Sequence, residues 1–221
     1  MRRVALLAFA ALAVGCGSQT SGQATVWITR DRGTVVVQTA TVPAGLTAMQ
    51  GLERAARVST RYGGRYVHAV DGVSEHGRSS WFYYVNGYLA DRSAAEYKLR
   101  PGDVEWWDFR GWSDPAQDPV VVGAFPEPFL HGYDGQRRQA VVVSLDTKLG
   151  RRLARLVHGR LAAAAPRGAN VLEVVAGARR LLSARLSRPQ PGAPVRFVLQ
   201  AAFARRLLVH PSLVKRRYAI P

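Results

Sequence analysis

Residues 81–112 read WFYYVNGYLADRSAAEYKLRPGDVEWWDFRGW and hold four of the five tryptophans in a chain of 221 residues. Two aromatic-rich strand segments are legible in them, WFYYV and VEWWDF, each tied to a turn. Asn86-Gly87 follows the first. Asn-Gly between apolar runs is the strongest short hairpin signal, because both central residues of a type I′ turn take positive φ. Pro101-Gly102-Asp103 precedes the second, with Pro presetting φ and Gly taking the left-handed corner. Alternation places Trp81, Tyr83 and Val85 opposite Phe82 and Tyr84, and Val104, Trp106 and Asp108 opposite Glu105, Trp107 and Phe109. One set must cover a helix. The other is either a face packed under residues 120–221 or a surface on which a flat ligand stacks.

Upstream, Thr25 to Ile28 and Gly33 to Val42 predict a hairpin around Arg30-Asp31-Arg32-Gly33. Thr47 is a candidate N-cap for a helix to about Val58, with Met49, Leu52 and Ala56 on one stripe and Tyr62-Gly63-Gly64 as its stop. Tyr66 to Val70 predicts a third strand ending at Asp71-Gly72. The order β-β-α-β-β-β is that of a β-grasp-like domain, a mixed sheet over one helix. The predicted fold class is α+β, with this domain at residues 24–113.

The segments YGGRYVHAVDGV and WFYYVNGYLADRSAAEYKLRPGDVEWW also resemble a known family. Tyr66-Val67, Val70-Asp71-Gly72, Trp81, Tyr83, Val85-Asn86-Gly87, Tyr97, Leu99, Gly102-Asp103-Val104 and Glu105-Trp106 match the pattern of the C-terminal domain of transcobalamin and intrinsic factor, and still more that of its bacterial exported relatives. The resemblance implies a β-grasp-like fold and, as a possible ligand, cobalamin, with the hairpin tip Asn86-Gly87-Tyr88 reaching toward the corrin. No counterpart of the family's helical domain is present in the chain. With the aromatics of the open face read from alternation, the candidate ligand-binding residues are Tyr84, Asn86, Gly87, Tyr88 and Trp107. Tyr84 and Trp107 have packing as their alternative role, and Asn86 and Gly87 serve a turn in either case. Substituting Tyr88 is expected to weaken binding and spare folding, and substituting Trp106 to do the reverse.

The N-terminus reads MRRVALLAFAALAVGCGSQTSGQ. Arg2 and Arg3 precede an apolar run from Val4 to Val14, too short to span a bilayer. Leu12-Ala13-Val14-Gly15-Cys16 resembles a bacterial lipoprotein signal. That implies a signal peptide at 1–15, lipid attachment at Cys16, a linker at 16–23 and a cell-membrane, extracytoplasmic location. An ordinary secretory signal is the alternative reading. Cys16 is the only cysteine, which excludes an internal disulfide framework and a cysteine zinc site.

Residues 114–138 are Pro- and Gly-rich and predict a linker, with Phe125, Phe129 and Tyr133 packed on something. Residues 139–221 predict a second, small α+β unit: strands at 139–144, 170–175, 181–187 and 195–200, an amphipathic helix over 147–164 and a short helix near Pro211. Residues 114–221 carry 18 basic and 6 acidic side chains, so most of the net charge of +16 lies there. An anionic lipid surface or a membrane complex suits that charge. Nucleic acid does not, since no helix-turn-helix, zinc or RNP-like motif accompanies it.

Enzyme signatures are missing: no P-loop, GxGxxG, HExxH or GxSxG occurs. Ser74 and His76 are neighbours without triad spacing, and the five histidines are too scattered for a metal site. His76 is the most reachable one for the lower side of a corrinoid. The sequence thus predicts a non-catalytic, membrane-tethered binding protein with no required cofactor, presenting a small molecule to a membrane importer. The alternative is an interaction module on a membrane complex or anionic lipid.

Overall fold

The structure is a computed structural model and describes residues 22–112 and 118–220. The signal segment, Cys16 and the start of the 114–138 linker lie outside the described residues. No described helix is long and apolar enough to cross a membrane. The architecture is α+β, dominated by three sheets with few helices.

β1 (Gln23–Arg30) and β2 (Val35–Pro43) form the expected antiparallel hairpin. Its turn is left-handed at Asp31, Arg32 and Gly33. The turn amides of Arg32 and Gly33 donate to the carboxylate of Asp108, at 3.1 and 3.0 Å. α1 (Ala48–Ala55) starts at Thr47, which makes a reciprocal capping box with Gln50. The helix ends at Ala56, earlier than expected, because Val58 opens a strand. β3 (Val58–Arg61), β4 (Tyr66–Val70) and β5 (Val73–Ser74) make a small antiparallel sheet. Tyr62-Gly63-Gly64 is therefore a hairpin turn, not a helix stop.

β6 (Ser79–Val85) and β7 (Tyr88–Leu89) flank Asn86-Gly87, both at positive φ as the turn requires. β8 (Val104–Gly111) returns between β6 and β1, antiparallel to β6 and parallel to β1. The sheet order is β2-β1-β8-β6-β7. Its α1-facing side buries Val26, Ile28, Trp81, Val85, Trp107 and Phe109 against Met49 and Leu52.

The opposite side is covered as well. The segment 118–138 is no spacer: Val120, Val121, Val122, Ala124, Phe125, Phe129 and Tyr133 are all buried, and it contains a 3-10 turn and α2 (Glu127–Leu130). Val121, Ala124 and Tyr218 close over Trp27, Tyr84, Val104 and Trp106. The Trp106 ring meets Tyr218 at 5.2 Å and Trp27 at 5.8 Å, both edge-on. Such pairs add about 1 kcal/mol each beyond their buried area. At the crossing, Arg216 N–H donates to the Gly123 carbonyl, and a Cβ on Gly123 would sit 2.4 Å from the Arg217 nitrogen.

The remaining residues build the second sheet. β9 (Ala140–Val143) leads into α3 (Thr147–Leu156), capped by Asp146. The helix ends well short of residue 164. His158 turns at positive φ, and Gly159 lies so close to Ala140 that a Cβ would meet its carbonyl oxygen at 2.5 Å. The chain thereby folds back as β10 (Arg160–Leu161) beside β9. β11 (Asn170–Val175), β12 (Leu182–Leu186) and β13 (Val195–Gln200) complete the order β10-β9-β11-β13-β12, parallel except for β12. α4 (Ala201–Leu207) follows directly and is missing from the sequence reading; Phe203, Ala204 and Leu207 bury its inner face.

Candidate ligand-binding cleft

The sequence placed the ligand at the tip Asn86-Gly87-Tyr88. The structure buries that tip. Asn86 is 0 % and Tyr88 1 % exposed, and Gly87 is enclosed by Val121, Ala124 and Pro128. Asn86 works inside the fold: its amide nitrogen donates to Asp103 Oδ1 (2.7 Å) and to the Gly132 carbonyl (3.0 Å), and its oxygen accepts from Val104 N–H (2.8 Å). The Tyr88 ring lies against Tyr133 at 5.9 Å, and burial pushes its hydroxyl up to about 12. Substituting Tyr88 must therefore disturb folding, a correction to the expected division of roles. Tyr84 (0 %) and Trp107 (3 %) lie on opposite faces of the sheet, so they cannot grip one ligand. Tyr84 belongs to the face closed by Tyr218. The physical reason is the same throughout: the 118–138 segment and the C-terminal segment occupy the side the ligand would need.

One part of the aromatic hairpin does stay open. β7 pairs only with Tyr84 and Val85, and beyond it the outer edge of β6 carries only isolated contacts: Ala90 N–H donates to the Tyr83 carbonyl at 3.2 Å, and Ser79 bridges to His76. The small sheet and the loop after β7 stand apart from that edge and leave a cleft of about 310 Å³. Tyr83 and Trp107 form its floor, stacked with centroids 4.8 Å apart and planes 19° from parallel. Trp81, Phe82 and Tyr66 line the sides, and Met49 reaches in from α1.

Polar contacts brace the walls. Tyr83 Oη donates to the Arg92 carbonyl at 2.5 Å, and Ser93 Oγ donates to the Arg65 carbonyl at 2.7 Å, which pins the loop to the start of β4. Arg65 pairs with Glu96, and Arg92 with Asp91 and Asp134 at 3.0 and 3.1 Å. Trp81 Nε1 donates to the Val73 carbonyl at 2.9 Å, tying β6 to the small sheet. Tyr66 Oη donates to Glu75 at 2.5 Å. Burial raises the hydroxyls of Tyr66 and Tyr83, so both are neutral donors at physiological pH.

Under the floor lies Glu105. It is 0 % exposed, and Oε1 accepts from Trp107 Nε1 at 2.5 Å while Oε2 has no partner. Burial raises its carboxyl well above the ordinary range, which favours the neutral acid. Gly51 on α1 leaves the room for it: a Cβ there would sit 2.7 Å from Oε2.

The described residues lining the cleft include no histidine, cysteine or acidic side chain. It offers stacking planes and two guanidiniums, with the phenol protons already committed within the walls, a surface for holding a flat molecule. His76 is elsewhere, in a recess with Arg61, Glu75 and Trp112, where its Nδ1 bonds the Ser74 carbonyl rather than the hydroxyl. Among the described residues no three His, Cys, Asp or Glu side chains are grouped to hold a metal ion. Sequence reasoning named Trp107 but missed Tyr83, Tyr66 and the 89–94 loop. Alternation sorts each strand into two faces by itself, and only the register of β6 with β8 sets Tyr83 beside Trp107.

No curated protein matches the chain. Among solved structures, it is similar to a protein from Ruminococcus gnavus whose description proposes metal binding, at 14 % identity, covering 41 % of this chain and 98 % of that one. The TM-score of that overlay is 0.34, and it lends nothing to the assignment of a fold or a ligand. Residues 45–111, which span α1 to β8 and every side chain of the cleft, match the family model described as Domain of unknown function (DUF4430).

Proposed function

We propose that this chain is a non-catalytic, extracytoplasmic binding protein, tethered through Cys16, that captures a flat hydrophobic ligand and presents it to a membrane importer. The observation that carries the reading is the Tyr83–Trp107 stack, flooring a cleft of about 310 Å³ that is open at the edge of β6. Pockets of this size hold one planar ring system between aromatic walls. A β-grasp-like first domain is part of the proposal. A helix packed on one face of a sheet whose first and last long strands run parallel at its centre supports it. Cobalamin is the ligand implied by the family resemblance, and it would insert an edge or a side group rather than its whole ring.

Equilibrium dialysis of the mature protein with cobalamins, flavins and haem tests the proposal. Binding by one of them is expected, and Tyr83→Ala is expected to weaken it by about tenfold, from loss of one stacked ring. Failure of every probe to bind would overturn the reading.

A further inference from the structure

A second recess, of about 380 Å³, lies where the chain enters β9 and β10. Arg137, Arg138, His158 and Arg160 surround it, and no acidic side chain is among its described lining residues. Two of the arginines are held in place by neutral groups. Arg137 donates from Nε to the Phe129 carbonyl at 3.1 Å and from Nη2 to the His158 carbonyl at 2.8 Å. Arg138 donates from Nε to the Gly192 carbonyl at 2.6 Å and from Nη1 to the Gly168 carbonyl at 3.5 Å.

Carbonyls orient a guanidinium without cancelling its charge, and each arginine keeps unused N–H donors. Part of Arg137's charge answers the C-terminal carbonyls of α3. Arg138 and Arg160 have no such role, and the Arg160 side chain makes no ion pair or hydrogen bond among the described residues. Among the described residues the arginines that form ion pairs are other ones, such as Arg196 with Glu173 and Arg205 with Asp146. Gathering like charges in one concavity costs energy unless an anion fills it. Arg151, Arg152 and Arg155 on α3, the helix that leads into His158, are exposed as well.

We propose that this recess binds a phosphoryl group, the anion whose several oxygens match the forked donors of clustered arginines. The group would belong either to a phosphorylated small molecule or to a phospholipid head. Arg138 and Arg160 supply the free donors, and Arg137 supplies a fixed wall.

The test compares the unaltered protein with Arg160→Gln, with Arg138→Gln/Arg160→Gln, and with Arg179→Gln/Arg188→Gln, a control with equal charge loss at exposed positions outside the recess. Inorganic phosphate is titrated while the Gly159 and Arg160 amide resonances are followed. Cosedimentation with phosphatidylglycerol-containing vesicles is measured in parallel. The double recess variant is expected to weaken binding by about tenfold, Arg160→Gln in the same direction, and the control to keep it. Loss confined to the phosphate arm assigns a soluble ligand, and loss that extends to vesicles assigns a lipid head. Equal loss in the recess and control variants, or unmoved Gly159 and Arg160 resonances with unchanged vesicle binding, would overturn the site. Because Arg160→Gln breaks no intramolecular bond, its result stands even if replacing Arg138 disturbs the fold.

Discussion

Replacing Asn86 separates a ligand contact from a structural one. The side chain makes three hydrogen bonds inside the protein: to the Asp103 carboxylate, to the Gly132 carbonyl and from the Val104 amide. Its backbone is left-handed, with φ of 51°. Glycine adopts that conformation freely, so Asn86→Gly removes the three bonds and little else. A bond to a charged group contributes roughly 2 kcal/mol and a neutral one about 1 kcal/mol, which gives about 4 kcal/mol of lost stability. Asn86→Ala should lose about 1 kcal/mol more, because a Cβ is disfavoured at positive φ. Asn86→Asp keeps an acceptor for Val104 but sets a second carboxyl against Asp103, whose own carboxyl burial already raises. One of the two must stay protonated, so that variant should weaken further as pH rises. Urea unfolding followed by tryptophan fluorescence measures all three. A loss under about 1 kcal/mol for Asn86→Gly would refute the accounting. A normally folded Asn86→Gly that had lost its ligand would restore the tip as the binding site.

Two further outcomes are expected. The raised carboxyl of Glu105 keeps its proton in the fold after the unfolded chain has released its own, near the ordinary value of 4.5. The associated stability is therefore complete below that value and declines by about 1.4 kcal/mol per pH unit above it, until the folded carboxyl ionises. Glu105→Gln should flatten this part of the melting-temperature profile. Asp103 and Asp108, raised in the same direction, leave a residual slope, but superimposable curves for variant and parent would refute the assignment. Gly123→Ala drives a Cβ into the backbone of Arg216 and Arg217 and should destabilise by about 2 kcal/mol, the cost of overpacking. A thermal melt indistinguishable from the parent would show that the C-terminal segment does not cross there.

Much of the first sheet was legible because its signals are local. Thr47 and Gln50 spell a capping box within four residues. Asn86-Gly87 needs nothing but its own φ preferences, and alternation sorts each strand into two faces. The misreadings share one cause. Val58 was assigned to the helix because its strand partner Val70 is twelve residues away, and the helix over 147–164 was overextended because Gly159 acts only through Ala140. The site failed for the same reason: whether Tyr88 meets solvent or Tyr133 depends on where residues 118–138 go, and no short window of sequence contains that.

What the sequence alone determined is the set of elements with local punctuation, the two-faced aromatic hairpin and the concentration of positive charge after residue 114. Only the tertiary structure decided which face stayed open. Val121, Ala124 and Tyr218 close over one side of the hairpin, so its tip became interior and its polar Asn86 a hydrogen-bonded link. Beyond the two-residue β7 no continuous strand lies along the outer edge of β6, and the cleft opens there with Tyr83 and Trp107 at its floor. Strand alternation can say that two aromatic faces exist. Which of them is buried depends on long-range burial, where apolar segments far apart in sequence compete to cover the same rings.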